Sequence, residues 1–202
     1  MSKHAGIRLA ECAVVAWTLQ GATVLAQPPP NVSRTGLSIS ASAGIVGAGH
    51  TSSDRGYGPT FTASVDVPVL HGWDVRVWGG RLHWHSGRDW FPGSPYPGRV
   101  SLDHVNVTVV RHYRRPRLHD PAGVYFGMGA GRYRYRIEHG RFTNPDSAGL
   151  HVLGGIEYQK FNRNIGYRLE FQAHVTGGPN HPHIRTDMMS AMSISAGVTR
   201  RF

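Results

Sequence analysis

The chain has 202 residues, of which 26 are Gly and 13 are Pro, and only 17% are charged. That balance suits many short strands joined by turns better than a helical protein. No stretch reaches the roughly 20 consecutive apolar residues that a membrane-spanning helix needs. The formal net charge is +10, and Cys12 is the one cysteine.

Residues 1–26 read as a secretory signal: Lys3, His4 and Arg8 give a basic start, Cys12 to Leu19 a short apolar run, and Val24-Leu25-Ala26 a cleavage site. Glu11 precedes the cysteine and the apolar run follows it, so Leu9-Ala10-Glu11-Cys12 does not serve as a lipidation box. Cys12 leaves with the signal, and the mature chain is expected to have no disulfide and no cysteine nucleophile. Loss of Lys3, Arg8 and Glu11 takes the net charge to +9. Residues 27–34, with three consecutive prolines, read as a flexible lead-in.

From residue 35 to 202 the sequence predicts eight strands with period-two alternation. Strand one, Thr35 to Gly47, sets Leu37, Ile39, Ala41, Ala43 and Ile45 against Ser38, Ser40, Ser42 and Gly44. Strand two, Thr60 to Pro68, sets Phe61, Ala63, Val65 and Val67 against Thr62, Ser64 and Asp66. Strand three, Gly72 to Leu82, carries Trp73, Val75 and Val77 opposite Asp74, Arg76 and Trp78. Its apolar register shifts at Gly79-Gly80, so that Leu82 and Trp84 fall on the other face; this predicts a bulge. Strand four, Ser101 to Tyr113, alternates Val105, Val107 and Val109 with His104, Asn106 and Thr108. Strand five, Ala122 to Arg136, alternates Val124, Phe126, Met128 and Ala130 with Tyr125, Gly127, Gly129 and Gly131. Strand six, Ala148 to Gln159, and strand seven, Ile165 to Thr176, repeat the pattern with Leu150, Val152 and Ile156, then Tyr167, Leu169, Phe171, Ala173 and Val175. Strand eight, Met189 to Phe202, sets Met192, Ile194, Ala196, Val198 and Phe202 against Ser193, Ser195, Gly197, Thr199 and Arg201.

Three features separate this pattern from a soluble sandwich. Connections alternate between short (near 69–71, 114–121 and 160–164) and long (48–59, 83–99, 137–147 and 177–188), the barrel habit of short periplasmic turns and long outer loops. Trp73, Tyr113, Tyr158, Tyr167 and Phe202 sit on apolar faces at the short-turn ends and read as an aromatic belt. The opposite faces are polar and rich in small residues, as in a narrow eight-stranded interior that side chains fill.

The terminal S-I-S-A-G-V-T-R-R-F, with the seven upstream strands, resembles the small eight-stranded bacterial outer-membrane β-barrels of the OmpA and OmpX transmembrane type, over about Thr35 to Phe202. The resemblance implies an all-β, eight-stranded antiparallel up-and-down transmembrane barrel in the outer membrane. It also implies that the barrel-assembly machinery recognises Ile194, Ala196, Val198 and Phe202. Arg200 departs from the pattern, standing where an apolar residue is usual, close enough to the interface to extend its charge out of the apolar zone.

The inward charges Asp66, Asp74, Arg76, Glu157, Arg168, Glu170 and Arg201 read as a lumen network, either a salt-bridge plug or the lining of a narrow gated pore. His104, His151 and His174 also face inward, near Ser193, Ser195 and Glu170, which raises a hydrolytic triad and a lipid A-modifying hydrolase. A lipid substrate lies outside the wall, so the expectation is a non-enzymatic role. His83 and His85, with His181 and His183, form two H-x-H pairs, but no metal site and no cofactor are assigned. Gly127, Gly129 and Gly131 have no helix after them to hold a phosphate; they are expected to make room for Trp78 and Tyr125. Arg132, Arg134 and Arg136, with Arg81, Arg88, Arg141 and Arg185, form an outer basic rim. The expected partners are outer-membrane lipids and lipopolysaccharide, whose phosphates suit Arg forks, and not nucleic acid; the protein is expected to be a monomer.

Overall fold

The computed structural model describes residues 36–49, 56–85, 99–116, 120–137, 146–160, 164–177, 180–181, 184–185 and 188–202. The expected signal and lead-in, residues 1–34, lie outside them. Eight long strands close into one barrel: β1 (Ser38–Gly49), β2 (Gly56–Leu70), β3 (Trp73–His85), β4 (Arg99–Arg114), β5 (Ala122–Ile137), β6 (Asp146–Lys160), β7 (Ile165–Gly177) and, after a two-residue ribbon of β8 (Asn180–His181) and β9 (Ile184–Arg185), β10 (Met188–Arg201). Each long strand pairs antiparallel with its chain neighbours, and β10 closes on β1. No helix occurs among the described residues.

The register fixes the tilt. A walk perpendicular to the strands from Ser38 passes Asp66, Arg76, Thr108, Gly129, His151, His174 and Ala191, and re-enters β1 at Ala48, ten residues beyond its start. That stagger is the shear of the barrel, and it inclines the strands to the axis. Residues at one height therefore shift by a little over one position from strand to strand.

Two short connections rest on residues able to take a left-handed backbone. Gly72 turns β2 into β3 with φ 77°, and Asn164 precedes β7 with φ 51°. The register slips at Pro68/Leu70 and at His112/Arg114, both beside short turns. Pro68 lacks the N–H that a regular ladder asks for. The bulge predicted at Gly79-Gly80 is absent: β3 pairs continuously with β2 and β4 through both glycines. Leu82 and Trp84 nevertheless point inward and are buried, because the interior itself changes character at that height.

The two faces of the sheet exchange character along the barrel. Towards the short-turn end, large apolar residues such as Ile45, Phe61, Val77, Val107, Met128, Ile156, Phe171 and Ile194 point outward and are exposed. Inward there, Asp66, Asp74, Arg76, Glu157, Arg168, Glu170 and Gln172 are buried. Towards the long-connection end the inward side is an apolar cluster: Val46, Ala48, Leu82, Trp84, Val100, Leu102, Tyr133, Tyr135, Met189 and Ala191. The outward residues at that end of β3, β4 and β5 include Arg81, Asp103, Arg132, Arg134 and Arg136. The strands run further than alternation predicted, with β2 beginning at Gly56, β3 ending at His85 and β4 beginning at Arg99. These added ends frame the apolar cluster, whose burial favours keeping them in the sheet.

Candidate functional site

The candidate site is the interior of the barrel, which is filled in layers. Nearest the short turns, Asp74 accepts from Arg115 Nη2 at 2.6 Å and bonds His112 Nε2 at 2.8 Å. Arg201 donates to Glu157 at 2.9 Å, and His112 Nδ1 lies 3.6 Å from the same carboxylate. Arg115 comes from the β4–β5 connection and Arg201 from the end of β10, so the layer ties a turn and the last strand to the interior.

The next layer is a buried lattice of two acids and two arginines. Arg76 Nε donates to Asp66 at 2.5 Å, and a second guanidinium nitrogen of Arg76 pairs with Glu170. Arg168 Nη2 donates to Asp66 at 2.7 Å and Nη1 to Ser40 at 3.0 Å. Tyr125 OH and Gln172 Nε2 each donate to Glu170 at 2.6 Å. The Arg76 and Arg168 guanidinium carbons lie 5.1 and 5.4 Å from the Tyr125 ring centre. Two negative and two positive charges balance, which is how ionic groups tolerate burial.

Above this lies an aromatic and imidazole layer. Trp78 Nε1 donates to Thr108 at 2.7 Å, and Thr108 bonds His151 Nε2 at 2.6 Å. The Trp78 ring meets His104 at 4.8 Å and His151 at 5.1 Å, edge to face. His174 Nδ1 bonds Tyr133 OH at 3.0 Å, and His104 Nδ1 bonds Asn106 at 2.7 Å. The apolar cluster closes the stack, with Tyr135 OH bonded to Thr176 and donating to Gly177 O at 3.2 Å.

All seven lumen charges expected from the sequence meet partners here, in two separate groups. Sequence reasoning missed His112, although it continues the inward positions of β4, and Arg115, which lies past the β4 bulge in a connection where alternation no longer reports the face. It also left out Tyr125 as an ionic partner and did not place Tyr133 and Tyr135 in the interior. Their signal was present in the alternation with Arg132, Arg134 and Arg136: outward arginines require inward tyrosines.

The serine–histidine–carboxylate idea finds no geometry. Ser193 donates to Gln172 at 3.3 Å, and Ser195 has no hydrogen-bond partner among the described residues. The histidines bond Thr108, Asn106 and Tyr133 instead. No cluster of three His, Cys, Asp or Glu among the described residues is arranged to hold a metal. His83 bonds Ser101 at 2.7 Å, and His85 accepts from Arg99 at 3.2 Å. Arg88, Arg141, His183 and the side chains of His181 and Arg185 lie outside the described residues. At the glycines of β5 the nearest groups are not Trp78 and Tyr125. The side chains nearest a Cβ there would be Thr108 at Gly127, His151 at Gly129 and Asn106 at Gly131. Tyr125 is accommodated by Gly155, where a Cβ would lie 2.5 Å from its hydroxyl.

On the outer surface, Ile194, Ala196 and Val198 face outward, opposite Ile45, Ala43 and Ala41 of β1. Phe202 donates its N–H to Leu37 O at 2.9 Å, and Arg200 stacks its guanidinium 5.2 Å from the Phe202 ring centre. Arg200 thus stands on the outward face with an aromatic partner. Trp73, Tyr158, Tyr167 and Phe202 are exposed at the short-turn end, and Tyr158 pairs directly with Tyr167. Tyr113 is half-buried within the β4 bulge.

No family model and no curated protein matches the chain. Solved structures do. Neisserial surface protein A aligns at TM-score 0.59 with 18% identity, covering 82% of this chain and 97% of that one. The outer membrane protein OprG from Pseudomonas aeruginosa aligns at 0.54 with 8% identity, covering 84% and 97%. Ail, the attachment invasion locus protein of Yersinia pestis, aligns at 0.52 with 15% identity, covering 84% and 100%. At such identities the likeness concerns the backbone: the chain has the fold of the small eight-stranded outer-membrane barrels.

Proposed function

We propose that the protein is a bacterial outer-membrane barrel with a sealed lumen and a non-enzymatic, structural or surface-interaction role. The observation that carries this reading is the layered interior: an ionic lattice, an imidazole–aromatic layer and an apolar cap in series. A hydrated ion on that path would meet a balanced charge network and then a dewetting apolar layer. The belt of exposed aliphatic residues on every barrel strand supports a lipid surround, since apolar patches of that extent are not left to water. Strand closure leaves no unpaired backbone edge to face hydrocarbon.

In this reading residues 1–26 direct export. Trp73, Tyr113, Tyr158, Tyr167 and Phe202 mark the periplasmic interface. The assembly machinery engages Ile194, Ala196, Val198 and Phe202, and the folded protein works as a monomer among outer-membrane lipids. The test is a planar-bilayer recording of the folded protein. Silence at all applied voltages is expected; discrete unitary currents would replace the sealed barrel with a small channel.

A further inference from the structure

The outward arginines at the long-connection end form a built cluster on one side of the barrel. Arg132, Arg134 and Arg136 alternate along β5, and Arg81 lies on β3. Between them on β4, Asp103 bonds Arg81 at 2.5 Å and Arg136 at 2.8 Å. On β6, Asp146 holds Arg132 at 3.2 Å. In the sheet register Arg134 lies opposite both Asp103 and Asp146. Both carboxylates are engaged by its neighbours, and no ion pair joins Arg134 to a carboxylate among the described residues. The two acids therefore orient three guanidinium groups around a fourth that is exposed and has no carboxylate partner among the described residues. Four arginines against two aspartates leave a surplus of positive charge.

The height of this cluster is set by the exchange of faces. On the outward side Gly79, Val105 and Ala130 are the last uncharged residues before Arg81, Asp103 and Arg132. Inside, the apolar cap begins at Leu82, Leu102 and Tyr133 on the same strands. The arginines thus stand where the lipid-facing wall ends and lipid headgroups begin. Across the barrel, the corresponding outward positions on β1, β2, β7 and β10 are Gly47, Tyr57, Val175, Ser190 and Met188, with no charge. At this height, and among the described residues, the outward arginines lie on the β3–β5 wall.

We propose that this wall binds the phosphate groups of lipopolysaccharide, with Arg134 as the direct phosphate ligand and Arg81, Arg132 and Arg136 as flanking donors. The inference rests on the outer-membrane reading above and gives it a partner and a side. A guanidinium fork matches phosphate in a bidentate, charge-assisted geometry. Flanking arginines already held by carboxylates lose less side-chain freedom when the phosphate arrives.

The test uses the full protein folded into phosphatidylcholine vesicles. These are titrated with lipopolysaccharide, with the same lipopolysaccharide freed of its lipid A phosphates, and with soluble polyphosphate. The intact glycolipid is expected to bind, and removal of its phosphates to weaken binding roughly tenfold or more. Arg134→Gln is expected to weaken it by about tenfold, the scale of one charge-assisted hydrogen bond. Arg114→Gln, exposed at the other end of the barrel, is expected to leave it unchanged. Heat-modifiable gel mobility verifies that each variant is folded. Equal binding of dephosphorylated lipopolysaccharide, or undiminished binding by Arg134→Gln, overturns the proposal. Polyphosphate binding as tightly as the glycolipid overturns the lipid assignment. Conductance is read separately, so a failed titration leaves the sealed lumen intact and a conducting barrel leaves the arginine wall intact.

Discussion

Asp66 is the sharpest point at which to break the interior. Its carboxylate receives Arg76 Nε at 2.5 Å and Arg168 Nη2 at 2.7 Å, with Ser38 Oγ at 3.2 Å. Both guanidinium groups are almost wholly enclosed. In Asp66→Ala, Arg76 retains Glu170, whereas Arg168 keeps hydrogen bonds only to hydroxyls, Ser40 at 3.0 Å and Ser64 at 3.4 Å. One buried positive charge is then uncompensated, which costs about 3–5 kcal/mol. Asp66→Asn keeps the shape and one acceptor oxygen and is expected to cost about 1.5–3 kcal/mol, the range for a hydrogen bond to a charged group. The double variant Asp66→Asn, Arg168→Met removes both members of one pair and is expected to recover most of that loss. The assay is urea unfolding in phospholipid vesicles, followed by tryptophan fluorescence and by gel mobility. A loss below about 1 kcal/mol for Asp66→Ala, or a double variant no more stable than the sum of its single changes, refutes an interdependent buried lattice.

Two further outcomes test the outer wall and the assembly signal. Val107→Arg places a charge in the middle of the outward apolar belt and is expected to cost about 2–4 kcal/mol in vesicles, whereas Ser101→Arg, on the same face beyond the belt, is expected to cost at most about 1 kcal/mol. Equal costs would move the boundary of the lipid-facing wall. Deletion of Phe202 removes the terminal ring and the N–H bond to Leu37. Cells making that variant are expected to show a reduced heat-modifiable fraction in the outer membrane while refolding in vesicles persists, which separates assembly from stability.

Period-two alternation displays which residues share a face, and for β10 it displayed the division from Met192 onward. Met192, Ile194, Ala196 and Val198 face outward, and Ser193, Ser195, Thr199 and Arg201 face inward. The same reading went astray at Leu82 and Trp84. It assumed that polar always means inward, but that equivalence holds only at the height of the lipid-facing belt. Beyond it the sheet keeps its pleat while its surroundings change, so an unbroken strand carries an inverted pattern that mimics a bulge. The true bulges, at Pro68/Leu70 and His112/Arg114, left no such mark in hydropathy.

By itself the sequence determined the eight barrel strands, the alternation of short and long connections, the faces within the belt and seven of the charges that enter the interior. These follow from local geometry, because successive side chains point to opposite sides of a strand. Only the tertiary structure decided which charges meet. Arg76 and Glu170 are 94 positions apart, and Arg168 and Ser40 are 128 apart, yet both pairs bond. Their meeting depends on the ten-residue stagger at which the sheet closes, a property of all eight strands together that no single strand encodes.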